Sequence, residues 1–136
     1  MENKENGLTL FNAGEKDTFC SIIPNSIDDK KRLFNALESC DVLLNDIVGQ
    51  EISIKDVYCE KTNVIDDKTG EYKVKYRTIL FDVDGKTYAT GSYGIYNIIK
   101  RIIAIYGLPT WENGIKVSVI KQKINDGKSK LSLTLV

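Results

Sequence analysis

In residues 71–81, EYKVKYRTILF, cations alternate with rings. An extended chain sends successive side chains to opposite faces, so Lys73, Lys75 and Arg77 share one face and Tyr72, Val74, Tyr76 and Thr78 share the other. Positive charge and flat rings are what an unpaired polynucleotide requires. Cations neutralise phosphates and release counterions, and rings stack bases at ~1–3 kcal/mol per base. Opposite faces of one strand cannot line one groove unless the strand twists or bulges. Two arrangements therefore stay open. Either Tyr72 and Tyr76 stack bases while the basic side chains reach phosphates from the rim, or the tyrosines pack inward and only the charges bind.

Further residues of the same two types lie C-terminal to this stretch. Lys86 follows a turn, Tyr88 sits on the returning strand, and Tyr93 and Tyr96 open a helix. Lys121 and Lys123 share one side of a later strand, with Lys128 and Lys130 just past its turn. Trp111, the only tryptophan, either caps the bottom of a barrel or offers another stacking surface.

Catalytic constellations are missing from the sequence. It has no histidine for proton transfer near neutral pH. It contains no GxSxG elbow, no phosphate-cradling GxxxxGK[ST] and no HExxH. Cys20, Cys40 and Cys59 are about twenty residues apart with no CxxC pair, which reads as reduced thiols rather than a zinc site. The adjacent Asp66 and Asp67 read as a solvated turn. We expect neither an enzyme nor a cofactor or metal.

The chain has 136 residues and no net charge, but the charge is unevenly placed. Residues 1–69 carry 8 Lys+Arg against 14 Asp+Glu, net −6, and residues 70–136 carry 11 against 5, net +6. A basic half suits a polyanionic partner. No run of eighteen apolar residues is present, and the N-terminal MENKENG lacks an apolar core, so neither a membrane span nor secretion is expected and the location expected is the cytoplasm.

The elements that must position these residues are organised around Gly91–Trp111. Ile95, Ile98, Ile99, Ile102, Ile103 and Tyr106 recur at steps of three and four, the pattern of a helix with one buried stripe. Ser92 is placed to cap its start, and Gly107 followed by Pro109 to end it. β-Branched residues are poor helix formers, so such a helix needs a wide apolar partner. An earlier helix is expected over about 27–39, capped by Ser26, with Leu33, Phe34 and Leu37 buried. Leu8–Phe11 and Thr18–Ile23 read as short strands.

From Glu51 onward the period becomes that of strands. One runs to about Glu60 with a bulge between Ile54 and Val57. A polar connection over Lys61–Gly70 follows, and then strands over 71–83, 86–91, 115–124 and 128–136. Asp84-Gly85 and Asp126-Gly127 mark tight turns. The last strand should be half buried, with Leu131, Leu133 and Leu135 inward. The chain is thus expected to be mainly β with two helices. It reads as one domain: a five-stranded OB-fold-like barrel with a helix between its third and fourth strands over 51–136, and an N-terminal extension over 1–50.

The run from Arg77 to Val117, RTILFDVDGKTYATGSYGIYNIIKRIIAIYGLPTWENGIKV, resembles the single-stranded DNA-binding proteins of small tailed bacteriophages. There a hairpin of the type LFDxDG precedes a serine-capped helix of the type YNxxKRI and a GxPTWE connection. The likeness extends more loosely from about Leu33 to the C-terminus. It implies an OB-like fold and sequence-tolerant binding of single-stranded DNA exposed during replication or recombination, with replication proteins as further partners. It carries binding residues over only to the basic and aromatic positions of the hairpin. Bacterial single-stranded DNA-binding proteins usually end in an acidic recruiting tail, whereas this chain ends in LSLTLV. Two other readings stay open: a protein-interaction module using the acidic half, and RNA binding on the same barrel.

Overall fold

In the computed structural model, which describes residues 16–136, the chain forms strand β1 (Lys16–Cys20), helix α1 (Ile27–Glu38), strands β2 (Val42–Leu43), β3 (Glu51–Ile65), β4 (Tyr72–Asp82) and β5 (Thr87–Thr90), helix α2 (Tyr93–Tyr106), and strands β6 (Ile115–Lys123) and β7 (Ser129–Leu135). The strand expected at Leu8–Phe11 lies outside the described residues. The fold is mainly β with two helices and one curled, mixed sheet. All seven strands join that sheet in the order β2-β5-β4-β3-β6-β7, with β1 added to β3. Every pairing is antiparallel except β2 with β5.

Strand β3 is the spine. One of its edges pairs with β4 along nearly its whole length, from Ile54 with Asp82 out to Ile65 with Tyr72. The other edge is divided, with residues 51–54 held by β6 and residues 58–62 by β1. The expected bulge is present as a register shift between Ile54 and Asp56. Three connections converge there. Trp111 N–H donates to the Lys55 carbonyl at 2.9 Å, and buried Asp56 accepts from the hydroxyls of Ser21 at 2.9 Å and Thr110 at 2.5 Å. The bulge therefore ties the sheet to the chain before α1 and the chain after α2.

The helices cover opposite faces of the sheet. On α1, Leu33, Ala36 and Leu37 pack over Tyr58, Ile79 and Phe81. Ser26 caps this helix by accepting from Asp29 N–H at 3.0 Å. Phe34, expected inside, is 62% exposed, because Ala36 rather than Phe34 completes the stripe with Leu33. On α2, Ile95, Ile99 and Ile102 are buried against Ile54, Val57, Leu80, Val117 and Val119. Each such isoleucine contributes ~1.5–3 kcal/mol, which offsets the poor helix propensity of the run. Ser92 accepts from Ile95 N–H at 3.2 Å, and Gly107 ends the helix at φ +90°, which only glycine adopts without strain. Tyr106, expected in the stripe, is instead half exposed.

Two further expectations, on segment 61–70 and on the last strand, are corrected. The segment 61–70 is not a long loop: its first half continues β3 to Ile65, and only a turn remains, in which Asp66 accepts from Lys68 N–H at 2.8 Å. Its polar side chains hid a strand held by cross-strand pairing rather than burial. Residues 51–136 supply five strands, β3–β7, with α2 between β5 and β6, and the expected N-terminal extension adds β1 and β2 to the same curled half-barrel sheet. In β7, Leu131 and Leu133 are buried as expected, but Ser132 is buried too and Leu135 is exposed at the end of the strand. Among the described residues, no helix is long and apolar enough to cross a membrane.

Candidate functional site

The parity of β4 settles which side each of its residues takes. Leu80 and Thr78 pair with Val57 and Cys59 in the core beneath α2, so Tyr76, Val74 and Tyr72 continue that inner face. Ile79 and Phe81 lie under α1, so Arg77, Lys75 and Lys73 continue the outer face. The rings and the cations of this strand are therefore separated by the sheet.

On the inner face the rings gather. The Tyr76 centroid lies 4.8 Å from those of both Tyr93 and Tyr96, tilted at 52° and 53°. Those two rings come from the first turn of α2, which the Ser92 cap places against β4. The cations of this face come from other elements. Lys61 is the cross-strand partner of Tyr76, and Lys100 Nζ stands 5.6 Å from the Tyr96 centroid, a cation–π approach. Together with Asp17 and Asn97 these residues line a cleft of about 210 Å³. Burial, followed by the charges of Cys59 and Asp17, raises the Tyr96 pKa, so its phenol stays a neutral hydrogen-bond donor at physiological pH.

Farther out on the hairpin arm, Tyr72 continues the row at 76% exposure, about 13 Å from Tyr76 at the usual strand rise. On β6, across β3 from β4, Lys121 and Lys123 alternate in phase with the buried Val117 and Val119 and are both exposed. Thus Tyr72, Tyr76, Lys121 and Lys123 all extend the side that packs beneath α2.

The other residues singled out in the sequence stand elsewhere. Lys73 is ion-paired with Asp66 at 3.6 Å. Lys75 lies on the outer face opposite Thr62, and Arg77 donates from Nη2 to the Leu37 carbonyl, fastening the end of α1. Glu60, the cross-strand partner of Arg77, adds negative charge to that face. Lys86 is exposed at the β4–β5 turn, where Asp82 accepts from the N–H groups of Asp84 and Lys86 at 2.8 and 2.9 Å. Tyr88 is only 6% exposed and donates its hydroxyl to Asp82 at 2.9 Å. Trp111 is 9% exposed, with Nε1 donating to the Gly107 carbonyl at 3.0 Å. Both residues are thus buried, with their polar atoms satisfied within the protein. Of the two roles open to Trp111, the structure supports the packing one.

Lys61 and Lys100 line this cleft although the sequence pattern did not single them out. Lys61 belongs to the stretch expected as a polar connection, where no strand parity applies, but the structure pairs it within β3. Lys100 lies off the isoleucine stripe, and its position four residues after Tyr96 predicts their contact.

A half-barrel of β-strands whose inner side carries clustered rings and lysines has the build of a nucleic-acid-binding protein. Over residues 12–136 the chain matches the family model described as Phage Single-stranded DNA-binding protein, of the Phi29 type. It belongs to that family and is a single-stranded DNA-binding protein of phage type. No curated protein and no solved structure matches it.

Proposed function

We propose that the protein coats unpaired DNA with little regard to sequence, protecting it during phage replication or recombination in the host cytoplasm. The sheet acts as an OB-like barrel. The DNA runs along its inner side, where Tyr72, Tyr76, Tyr93 and Tyr96 stack on bases while Lys61, Lys100, Lys121 and Lys123 neutralise phosphates. The observation that carries this reading is the convergence of Tyr76, Tyr93 and Tyr96 with Lys61 and Lys100 at one cleft. Ring faces serve every base alike, and lysines follow a backbone that carries no sequence information, so low specificity follows from the residue types. In this role the protein works beside the replication proteins that create and consume single strands.

The test is an oligo-dT titration repeated across salt concentrations. Log affinity should fall linearly with log salt, with a slope of roughly −0.7 for each neutralised phosphate. Binding indifferent to salt, or absent at micromolar protein, would remove the proposal.

A further inference from the structure

A second and larger cleft, of about 450 Å³, lies between α2 and the β6–β7 hairpin. At Gly94, which lines this trough, α2 stands in ordinary contact with β7, a Cβ there lying 3.6 Å from the Leu131 carbonyl oxygen. We propose that this trough is a second DNA subsite, receiving the nucleotides that leave the tyrosine cluster. The inference rests on the single-strand binding proposed above and extends its path onto the flank of α2.

Three observations carry it. The two clefts adjoin, since Tyr93 and Asn97 line both. A strand stacked at the first therefore enters the second without leaving the surface. The chemistry of the trough also matches a polynucleotide. Arg101 and Lys130 supply positive charge, and among the described residues no carboxylate lines it. Arginine is the better of the two cations for phosphate, because its planar fork donates two parallel hydrogen bonds. Finally, the trough has a stacking ring at each end. Tyr93 is 57% and Tyr106 53% exposed, and they stand thirteen residues apart on one helix, about 20 Å at 1.5 Å per residue. That length holds up to about six stacked nucleotides at 3.4 Å each. This also accounts for Tyr106, a large ring that the apolar stripe of α2 does not bury.

The experiment compares the full chain with Arg101→Ala/Lys130→Ala and, separately, Tyr106→Ala, all at exposed positions. The readouts are the number of thymidines occluded per protomer on a long oligo-dT and the salt dependence of binding. The double variant should occlude fewer nucleotides, and its salt slope should be shallower by about 1.4, for two lost phosphate contacts. Tyr106→Ala should shorten the occluded length while leaving the slope unchanged. If both variants keep the parent's site size and slope, the trough holds no DNA and the inference is overturned, whatever else occupies it. Failure of the parent chain to bind oligo-dT would instead strike the underlying proposal, and would be seen before either variant is measured.

Discussion

Lys61 and Tyr76 are direct partners across β3 and β4, and both extend the inner side of the sheet. The pairing sets a cation beside a ring that touches two further rings, so one cleft holds both kinds of group that the proposed DNA path uses. It also makes the two kinds of contact separable. Replacing Tyr76 by Ala should weaken oligo-dT binding by about 1–3 kcal/mol, the worth of one stacked base. Tyr76→Phe, which keeps the ring face, should bind nearly as the parent does. Titration followed by intrinsic tyrosine fluorescence measures both, and equal losses in the two variants would show that the hydroxyl rather than the ring matters.

The two faces of β4 should also differ in their salt response. Lys61→Ala or Lys100→Ala should make the salt slope shallower by about 0.7. Lys75→Ala, on the outer face, should leave it unchanged. The reverse pattern would move the DNA to the α1 side and reject the inner path.

Much of this architecture was legible because the signals were local. Ser26 and Ser92 cap helices whose apolar spacing was explicit, and the phase slip in IKDV marked the bulge now seen between Ile54 and Asp56. What escaped depended on partners distant in sequence. Lys61 looked like loop because the β-arm is stabilised by pairing with Lys75 to Val74 and their neighbours, and pairing leaves no hydrophobic period. Tyr88 and Trp111 had the right residue type for stacking. Their burial depends on Asp82 and on the Gly107 carbonyl, partners that composition does not reveal. The alternation of Lys73, Lys75 and Arg77 with Tyr72 and Tyr76 was read correctly as two faces, but only the packing of α1 and α2 shows which face is which.

Because Trp111 is sealed behind Gly107, its emission should not change when oligo-dT is added, while tyrosine emission is quenched. Unfolding in urea should shift the tryptophan emission to the red. Trp111 quenching by DNA, with the fold intact, would show that the ring is open to the strand and would contradict the packing role given to it.

Asp56 should matter for stability rather than for binding. Its buried carboxylate accepts from both Ser21 and Thr110. Asp56→Ala would strand those hydroxyls at a cost of about 1–3 kcal/mol. Urea denaturation should show the loss as an earlier midpoint. Once allowance is made for the unfolded fraction, the oligo-dT affinity of the folded protein should be that of the parent.

Alkaline pH should unfold the protein through groups that burial keeps protonated. Burial raises the Cys59 thiol from 9.0 to about 11, and burial followed by the Asp82 hydrogen bond raises the Tyr88 phenol from 10.0 to about 12. Tyr58 moves in the same direction, through burial and its bond to Glu60. In each case the unfolded chain gives up its proton at lower pH than the folded one. The stabilisation is therefore complete below about pH 9 and is lost as pH rises through the 9–12 window. Denaturant midpoints measured from pH 8 upward should hold steady and then fall. Cys59 should react slowly with an alkylating reagent until that fall begins. A midpoint that stayed level to pH 11 would mean that these groups are open to solvent and would contradict the packing beneath α2.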